Sequence, residues 1–131
     1  MAKYPQNPEE IFEDYVKSWR DIFGDQVQAV VVYGSAARGD YIPGKSDINF
    51  LIVLSEAGLA DLQKAIPIVE NWRLRAAAVP LVVSERYIQE SLDSFPVEFL
   101  TLKLHHRCLF GEDPLAEIEI EPKHIRLQLE R

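Results

Sequence analysis

Two short apolar runs, separated by a polar and glycine-rich segment, constrain the fold of this chain more than any other feature. Residues 28–34, QAVVVYG, are rich in β-branched side chains and end at a glycine, and residues 47–54, DINFLIVL, have the same character. Runs of this length and composition are typical of buried strands. Both are far shorter than the roughly 20 apolar residues that a membrane helix requires. The chain is therefore expected to contain a small sheet that includes both strands.

Helices are predicted before and after this pair of strands. Residues 8–23 place apolar side chains on one helical face, and Gly24 is a suitable end for that helix. Residues 58–75 have the same period, but Pro67 is expected to kink or split the segment. Residues 85–95 also favour a helix, and residues 96–106 fit either a helix or a strand, with a helix favoured because Pro96 suits a first turn.

Further strands are predicted at residues 76–84 and 107–111. Pro80 lies within the first of these runs, which favours an edge position or a strand start because proline cannot donate to a sheet ladder. Helices and strands thus occur in mixed order along the chain. The expected fold class is α/β (α+β), with a small mixed sheet of about four strands and helices packed on it.

The end of the chain raises two alternatives. Segment 113–118 begins with Asp113-Pro114, and segment 122–131 begins with the proline of Glu121-Pro122. An acidic residue followed by proline favours a helix start. In the last segment, Ile125 and Leu129 are one helical turn apart and the pattern stops at Arg131. This predicts either contact with a partner chain or continuation into a longer protein. Residues 1–131 are in either case expected to form a single domain.

Composition narrows the possible functions. Of 131 residues, 47% are hydrophobic and 27% are charged, which is typical of a globular domain. The formal net charge of −7 argues against broad nucleic-acid binding, because an acidic surface repels phosphate backbones. Cys108 is the only cysteine, so no internal disulfide can form, and a buried apolar role is expected. The N-terminus has no apolar stretch typical of a signal peptide, which predicts a cytoplasmic protein without membrane partners.

Residues 39–46, GDYIPGKS, match the letters of a P-loop, G-x-x-x-x-G-K-[ST]. A P-loop needs a strand that runs directly into its first glycine and a helix that begins at its Lys-Ser end. Here the preceding strand is predicted to end near Tyr33, and a second strand, rather than a helix, follows Ser46. The surroundings of the match therefore argue against a P-loop NTPase.

A wider motif, VVYGSAARGDYIPGKSDINFLIV, explains the same letters better. A hydrophobic strand leads to Gly34-Ser35, eleven residues follow, and then Asp47-Ile48-Asn49-Phe50 begins the next strand. This pattern resembles the nucleotidyltransferase superfamily related to DNA polymerase β, especially its small minimal and kanamycin nucleotidyltransferase-type domains. The resemblance covers residues 25–83 well, and LFGEDP, 109–114, is similar to the end of such domains.

The resemblance implies a site for a nucleoside triphosphate whose α-phosphorus is attacked while pyrophosphate leaves. Gly34 would allow the phosphates close to the backbone, and Ser35 offers a hydroxyl. Arg38 would contact a phosphate or form a salt bridge within the loop, and Ser46 completes the predicted nucleotide-binding set. Asp47 is the predicted catalytic carboxylate.

Magnesium is the metal that the resemblance implies. Asp47 and Asn49 are the predicted metal ligands, because residues i and i+2 of a strand point to the same face. The family normally has three carboxylates, but position 49 is an asparagine, and Pro80 occupies the place of the third acid. Two of three carboxylates are therefore missing, which argues against ordinary two-metal catalysis. The main hypothesis is a degenerate site with weak nucleotide binding or a regulatory or structural role.

Two alternatives remain open. One is active magnesium-dependent transfer of a nucleoside monophosphate to a hydroxyl, with Asp40, Glu56, Glu85 or a partner supplying an acid. The other is an interaction module that forms a homodimer or binds a helical protein partner, for which Leu127 and Leu129 are candidate contacts.

Two other groups of residues are assigned structural roles. His105, His106, Cys108 and Asp113 lack the spacing of a zinc module. Two tryptophans, Trp19 and Trp72, lie on apolar helical faces and are predicted to belong to the hydrophobic core.

Overall fold

The computed structural model describes residues 4–116 and 118. The described part contains six α-helices: α1 (Glu9–Phe23), α2 (Ser35–Arg38), α3 (Glu56–Ala60), α4 (Ile66–Arg73), α5 (Glu85–Ser91) and α6 (Pro96–Leu104). It also contains four strands: β1 (Val27–Tyr33), β2 (Asn49–Leu54), β3 (Leu81–Val83) and β4 (His106–Gly111).

The four strands form one mixed sheet in the order β3-β2-β1-β4. Strand β1 is antiparallel to both of its neighbours, and its last residue, Tyr33, pairs with Asn49 of β2 and His106 of β4. Strand β3 is parallel to β2, with Leu51 opposite Leu81. The predicted mixed sheet of about four strands is confirmed, and the two apolar runs form its central pair.

One face of the sheet packs against α1 and α4 through an aromatic core. Tyr15 stacks on Phe50 of β2 with ring centroids 3.7 Å apart, and Trp19 is fully buried beside them. Trp72 of α4 packs against this core and donates its indole N–H to the Ser18 hydroxyl at 2.9 Å. The prediction that both tryptophans are core residues is confirmed.

The opposite face packs against α5 and α6. Its core contains alternate residues of the central strands, including Val31 and Leu51, together with Ile88 of α5 and Phe99 of α6. Leu115 is fully buried in the same cluster. Because side chains alternate along a strand, each central strand is buried on both faces, which explains its nearly continuous apolar sequence.

The predicted element boundaries differ from the structure in three places. Segment 58–75 is split as expected, but the break comes before Pro67, which lies in the first turn of α4. The strand predicted at 76–84 contains only three residues, and Pro80 directly precedes it at the sheet edge. Residues 113–118 were expected to begin a helix, yet residues 114–116 form a turn. The helix expected at 122–131 lies outside the described residues.

No helix in residues 4–116 is long and apolar enough to cross a membrane.

Candidate functional site

The turn between β1 and α2 is built around Gly34. Its φ of 77° lies in the left-handed region that glycine adopts without strain. Its carbonyl accepts hydrogen bonds from the amides of Ala37 and Arg38, both at 3.0 Å, while its own amide donates to the His105 carbonyl at 3.2 Å. A methyl group at position 34 would lie 3.0 Å from the side-chain nitrogen of Asn49. Only glycine satisfies both the backbone angle and this close contact.

Ser35 begins α2 directly after that turn and is partly exposed. The first amides of a helix have no preceding turn that could accept their hydrogen bonds, so they can bind an anion if one approaches. The Ser35 carbonyl accepts from the amides of Gly39 and Asp40 at 3.1 and 2.9 Å, which closes the helix after a single turn. The chain thereby brings Gly34, Ser35 and Asn49 to one end of the central strand pair.

Arg38 ends α2 and forms an ion pair with Asp40, with Nε and Oδ2 3.1 Å apart. The salt-bridge alternative for Arg38 is therefore the one present in this structure. Both side chains are exposed, and such pairs contribute at most about 1 kcal/mol. Exchanging the Asp40 carboxylate for a phosphate would cost little.

The loop before β2 is closed by Ser46. Its hydroxyl accepts a hydrogen bond from the Ile42 amide at 3.0 Å, and its own amide donates to the Ile42 carbonyl at 2.8 Å. No helix begins at Lys45 or Ser46, and β2 follows within three residues. The interpretation of residues 39–46 as something other than a P-loop is confirmed.

Asp47 and Asn49 flank the buried Ile48 at the start of β2. Ile48 is 0% exposed and forms an isolated bridge with Ala77, whereas Asp47 is exposed and Asn49 is half-buried. This alternation places the side chains of Asp47 and Asn49 on the side of the strand opposite Ile48. The nitrogen of Asn49, and not its oxygen, is the side-chain atom closest to Gly34.

Two basic residues lie near Asp47 that sequence reasoning missed. Asp47 lines a small cavity of about 190 Å³ together with Lys45, Arg73 and Tyr4. Arg73 belongs to the last turn of α4, so only the packing of that helix brings it here. The pKa of the nearby Tyr41 phenol is raised, mainly by burial, and the charge of Asp47 contributes with those of Glu10 and Tyr4.

The three acids that were expected as substitute ligands have other surroundings in the described part of the structure. Asp40 is paired with Arg38, Glu56 lines a groove beside β3, and Glu85 lines a cavity next to Glu112 and Asp113. Across residues 4–116, no three acidic, histidine or cysteine side chains converge in a group that could hold a metal ion.

The donor set at Asp47 and Asn49 fits one hard cation better than two. A carboxylate and an amide oxygen are both ligands that Mg²⁺ accepts, and the remaining positions would be filled by water and phosphate oxygens. Two divalent ions held by a single protein carboxylate would repel each other strongly. Lys45 and Arg73 line the same cavity as Asp47, and their positive charges weaken the attraction of Asp47 for a cation.

The histidine and cysteine group at β4 has a structural role. His106 is fixed by both ring nitrogens, Nδ1 with the Lys103 carbonyl and Nε2 with the Asp113 carboxylate, each at 2.7 Å. Cys108 is half-buried, and burial together with the Asp113 charge raises the pKa of its thiol. Both ring nitrogens of His106 therefore have protein partners, and the expectation that this group is not a metal site stays a prediction.

Comparison with known proteins places these features in context. The profile of the family described as "Nucleotidyltransferase domain" matches residues 13–123. A CCA-adding enzyme from Pyrobaculum aerophilum is 29% identical over 109 residues, which cover 78% of this chain and 24% of that enzyme. The chain thus spans about a quarter of the length of this relative.

A shorter relative from Methanocaldococcus jannaschii, assigned as a protein adenylyltransferase, is 36% identical over 67 residues. These residues cover 50% of this chain and 67% of the relative.

Two solved structures share the fold. Spectinomycin adenyltransferase from Enterococcus faecialis, determined with ATP and spectinomycin, superposes with a TM-score of 0.56 and 15% identity over 92% of this chain and 64% of that one. A chain of a toxin-antitoxin structure with AMP-PNP gives a TM-score of 0.51 and 15% identity, covering 90% and 87% of the two chains.

Proposed function

The chain belongs to the nucleotidyltransferase domain family, and on that premise we propose that it binds a nucleoside triphosphate weakly without transferring nucleotide efficiently. The site would lie at Gly34, Ser35 and Asp47, where the turn after β1 meets the start of β2. The domain would then have a regulatory or structural role that depends on nucleotide binding.

The phosphate end of this site has the required parts. Gly34 leaves space beside the backbone, and its carbonyl accepts the amides of Ala37 and Arg38, which leaves the amides of Ser35 and Ala36 without an acceptor inside the helix. Ser35 and Ser46 offer hydroxyl groups at either end of the loop, and Arg38 offers a guanidinium that only an exposed carboxylate now occupies. These groups bind phosphate oxygens without any contribution from a metal.

One observation at the metal end carries the proposal. Asn49 and Pro80 stand at the two positions where the family resemblance implies acids, and the side-chain nitrogen of Asn49 is the atom close to Gly34. Asp47 is then the only carboxylate of the expected set. An in-line displacement that relies on two ions, one for the attacking oxygen and one for the leaving oxygen, lacks its ligands here.

An adenine nucleotide is the first ligand to test. The two structural neighbours were determined with ATP and with AMP-PNP, and the relative from Methanocaldococcus jannaschii is assigned as an adenylyltransferase. The base itself has no assigned contact in the site described above, so the four common nucleotides should be compared in parallel.

The experiment is calorimetric titration of ATP, GTP, CTP and UTP with Mg²⁺, combined with an assay for released pyrophosphate. We expect measurable binding of at least one nucleotide, weakened in Ser35→Ala, and pyrophosphate release no faster than in Asp47→Ala. The exposed variant Lys17→Ala serves as a matched control, because Lys17 lies on α1 and forms an ion pair with Asp21 on the same helix.

Pyrophosphate release by the wild-type protein that Asp47→Ala abolishes would contradict the proposal and favour an active transferase. Absence of binding to all four nucleotides, with or without Mg²⁺, would instead favour the interaction module. Light scattering at high protein concentration would then test the predicted homodimer.

A further inference from the structure

The cavity beside Asp47 differs in charge from the chain as a whole. Its charged lining residues are Lys45, Arg73 and Asp47, so bases outnumber acids there. The chain itself has a formal net charge of −7, and the cavity beside Glu85 is lined by three acids and one base. A concave surface with an excess of positive charge on an acidic protein favours an anionic ligand.

Lys45 and Arg73 also differ from the other basic residues in having no partner. Both side chains are exposed, and neither forms an ion pair, a hydrogen bond or a ring contact within residues 4–116 and 118. Every other lysine and arginine in these residues has such a contact: Lys17, Arg38, Lys64 and Arg86 pair with acids, Lys103 bonds a carbonyl, and Arg20, Arg75 and Arg107 lie over aromatic rings. The two cations without a partner thus line the same cavity, where their charge is available to a ligand.

The turn before β2 fixes the position of Lys45. The Ile42 carbonyl accepts the amides of Lys45 and Ser46 at 3.0 and 2.8 Å, which closes this turn. A methyl group at Gly44 would lie 3.1 Å from the ring of Tyr4, so that ring packs closely against the turn. Lys45 therefore extends from a backbone segment that is held on both sides.

The connection after α4 places Arg73 at the same cavity. The Trp72 carbonyl accepts the Ala77 amide at 3.1 Å, and the Ala76 carbonyl accepts the Ile48 amide at 2.8 Å, so the end of α4 is tied to the start of β2. Ala76 lines the cavity with a φ of +69°, and it is the only non-glycine residue with a positive φ among the described residues. Strained backbone of this kind concentrates at ligand-binding and active sites, which supports a ligand here.

The cavity lies within reach of the turn at Gly34. Asn49 approaches Gly34, and Asp47, which lines the cavity, is two residues earlier in the chain. Two residues of extended chain span about 7 Å, a distance that three linked phosphates can bridge. The cavity volume of about 190 Å³ corresponds to roughly six waters at about 30 Å³ each, which is enough room for one or two phosphate groups.

We infer that Lys45 and Arg73 bind the terminal phosphates of the nucleoside triphosphate, an inference that rests on the proposed function. The α-phosphate then lies at the turn of Gly34 and Ser35, and the β- and γ-phosphates enter the cavity beside Asp47. Each of the two side chains carries a unit positive charge at neutral pH, so together they supply the charge of one divalent ion. Triphosphate binding at this site therefore needs no second metal ion.

Calorimetric titration of the full chain with ATP, AMP and inorganic tripolyphosphate tests this inference, both in EDTA and in Mg²⁺. We expect the wild-type protein to bind ATP at least about tenfold more tightly than AMP, because only ATP reaches the two cations. The double variant Lys45→Ala, Arg73→Ala should bring this ratio close to one while AMP affinity stays unchanged. Its affinity for tripolyphosphate should fall by about tenfold or more.

Two further double variants separate the charge at the cavity from other effects. The exchange Lys45→Arg, Arg73→Lys keeps both charges and should keep most of the preference for ATP. The pair Lys17→Ala, Lys64→Ala removes two charges from exposed positions elsewhere, where they pair with Asp21 and Asp61, and should leave the preference unchanged. A purely structural role of Arg73 at the end of α4 would affect stability but not the ratio of ATP to AMP affinity.

The outcomes distinguish this inference from the proposed function. An unchanged ratio of ATP to AMP affinity in Lys45→Ala, Arg73→Ala would overturn the inference and leave the proposed function standing. Binding of tripolyphosphate without binding of any nucleotide would assign the cavity to a different polyphosphate ligand and contradict the proposed function. A wild-type protein that binds none of these ligands would overturn both.

Discussion

The two edges of the sheet differ in how they are built and in what they contribute to the site. Strand β4 has six residues and is antiparallel to β1, and the carbonyl that precedes it, at His105, holds the Gly34 amide. Strand β3 has three residues, is parallel to β2, and follows Pro80. Val79 and Leu81 at this edge are 63% and 47% exposed.

This difference separates the two halves of the candidate site. The phosphate end consists of backbone held between β1 and β4, so it forms whenever the sheet forms. In the proposed site the metal end would depend on acidic side chains next to β2 and β3, which the fold does not require. Carboxylates placed close together repel each other, so acids at positions 49 and 80 would carry a folding cost that Asn49 and Pro80 do not. Under the proposed function, this domain would keep its phosphate-binding turn without the full set of metal ligands.

A substitution that disrupts the pairing of β4 with β1 should lower the stability of the fold more than any other change considered below. A methyl group at Gly111 would lie 2.0 Å from the carbonyl oxygen of Gln28 on β1, and φ at Gly111 is +79°. We expect Gly111→Ala to lower the free energy of unfolding by about 3 kcal/mol or more. Gly24→Ala is the matched control, with φ of +55° but open space around the added methyl, and should cost only about 1 kcal/mol. Urea denaturation measures both, and equal losses would refute the steric account.

A substitution in the turn at Gly34 should have the next largest effect on stability, and it should also lower nucleotide affinity. Gly34→Ala introduces a methyl 3.0 Å from the Asn49 nitrogen at a φ of +77°, so we expect a loss of about 1–2 kcal/mol in unfolding free energy. Nucleotide affinity should fall as well, because the methyl occupies space beside the turn. Gly39→Ala, with φ of +88° and no neighbour within 4 Å, should reproduce the strain without the loss of affinity. Unchanged affinity in Gly34→Ala, measured by calorimetry, would place the nucleotide elsewhere.

Restoring the missing acids should sharpen the contrast between the two halves. The double variant Asn49→Asp, Pro80→Asp adds carboxylates at the two positions where the family resemblance implies acids, and we expect affinity for Mn²⁺ to rise by about tenfold or more, or ~1.4 kcal/mol. Without metal the variant should be slightly less stable, since the three carboxylates repel each other. Thermal denaturation with and without Mn²⁺ measures both effects. No gain in Mn²⁺ affinity would show that position 80 does not face the site.

Substitutions of exposed residues beside β3 should have the smallest effect on the free energy of unfolding. Val79 is 63% exposed, so we expect Val79→Lys to change the free energy of unfolding by no more than about 0.5 kcal/mol. Val31→Lys on β1 is the contrasting variant, because Val31 is fully buried and its replacement should prevent folding. A large loss in Val79→Lys would mean that this edge is covered in solution.

Much of the fold could be predicted because it depends on local sequence. The two central strands follow from their β-branched runs, the family follows from the Gly34–Asn49 spacing, and both predictions were confirmed. Residues 114–116 could not be predicted as a turn, because the Asp113 carboxylate that bonds His106 also accepts the Leu115 amide at 2.9 Å. That arrangement depends on β4 and its surroundings rather than on the sequence of the segment.

The site was less predictable, since its contacts depend on strand register and helix packing. The approach of Asn49 to Gly34 follows from the pairing of Asn49 with Tyr33, which no local pattern reveals. Arg73 reaches the Asp47 cavity only because α4 packs against the sheet as it does. The predicted roles of Arg38 and Ser46 in nucleotide binding stay predictions, as does the cytoplasmic location.

The number of metal ions that the nucleotide complex holds tests the central claim most directly. Electron paramagnetic resonance can count bound Mn²⁺ per chain in the presence of a non-hydrolysable ATP analogue. The account predicts that the wild-type protein binds the nucleotide with at most one Mn²⁺, which Asp47→Ala removes. Two Mn²⁺ ions bound per chain by the wild-type protein would contradict it.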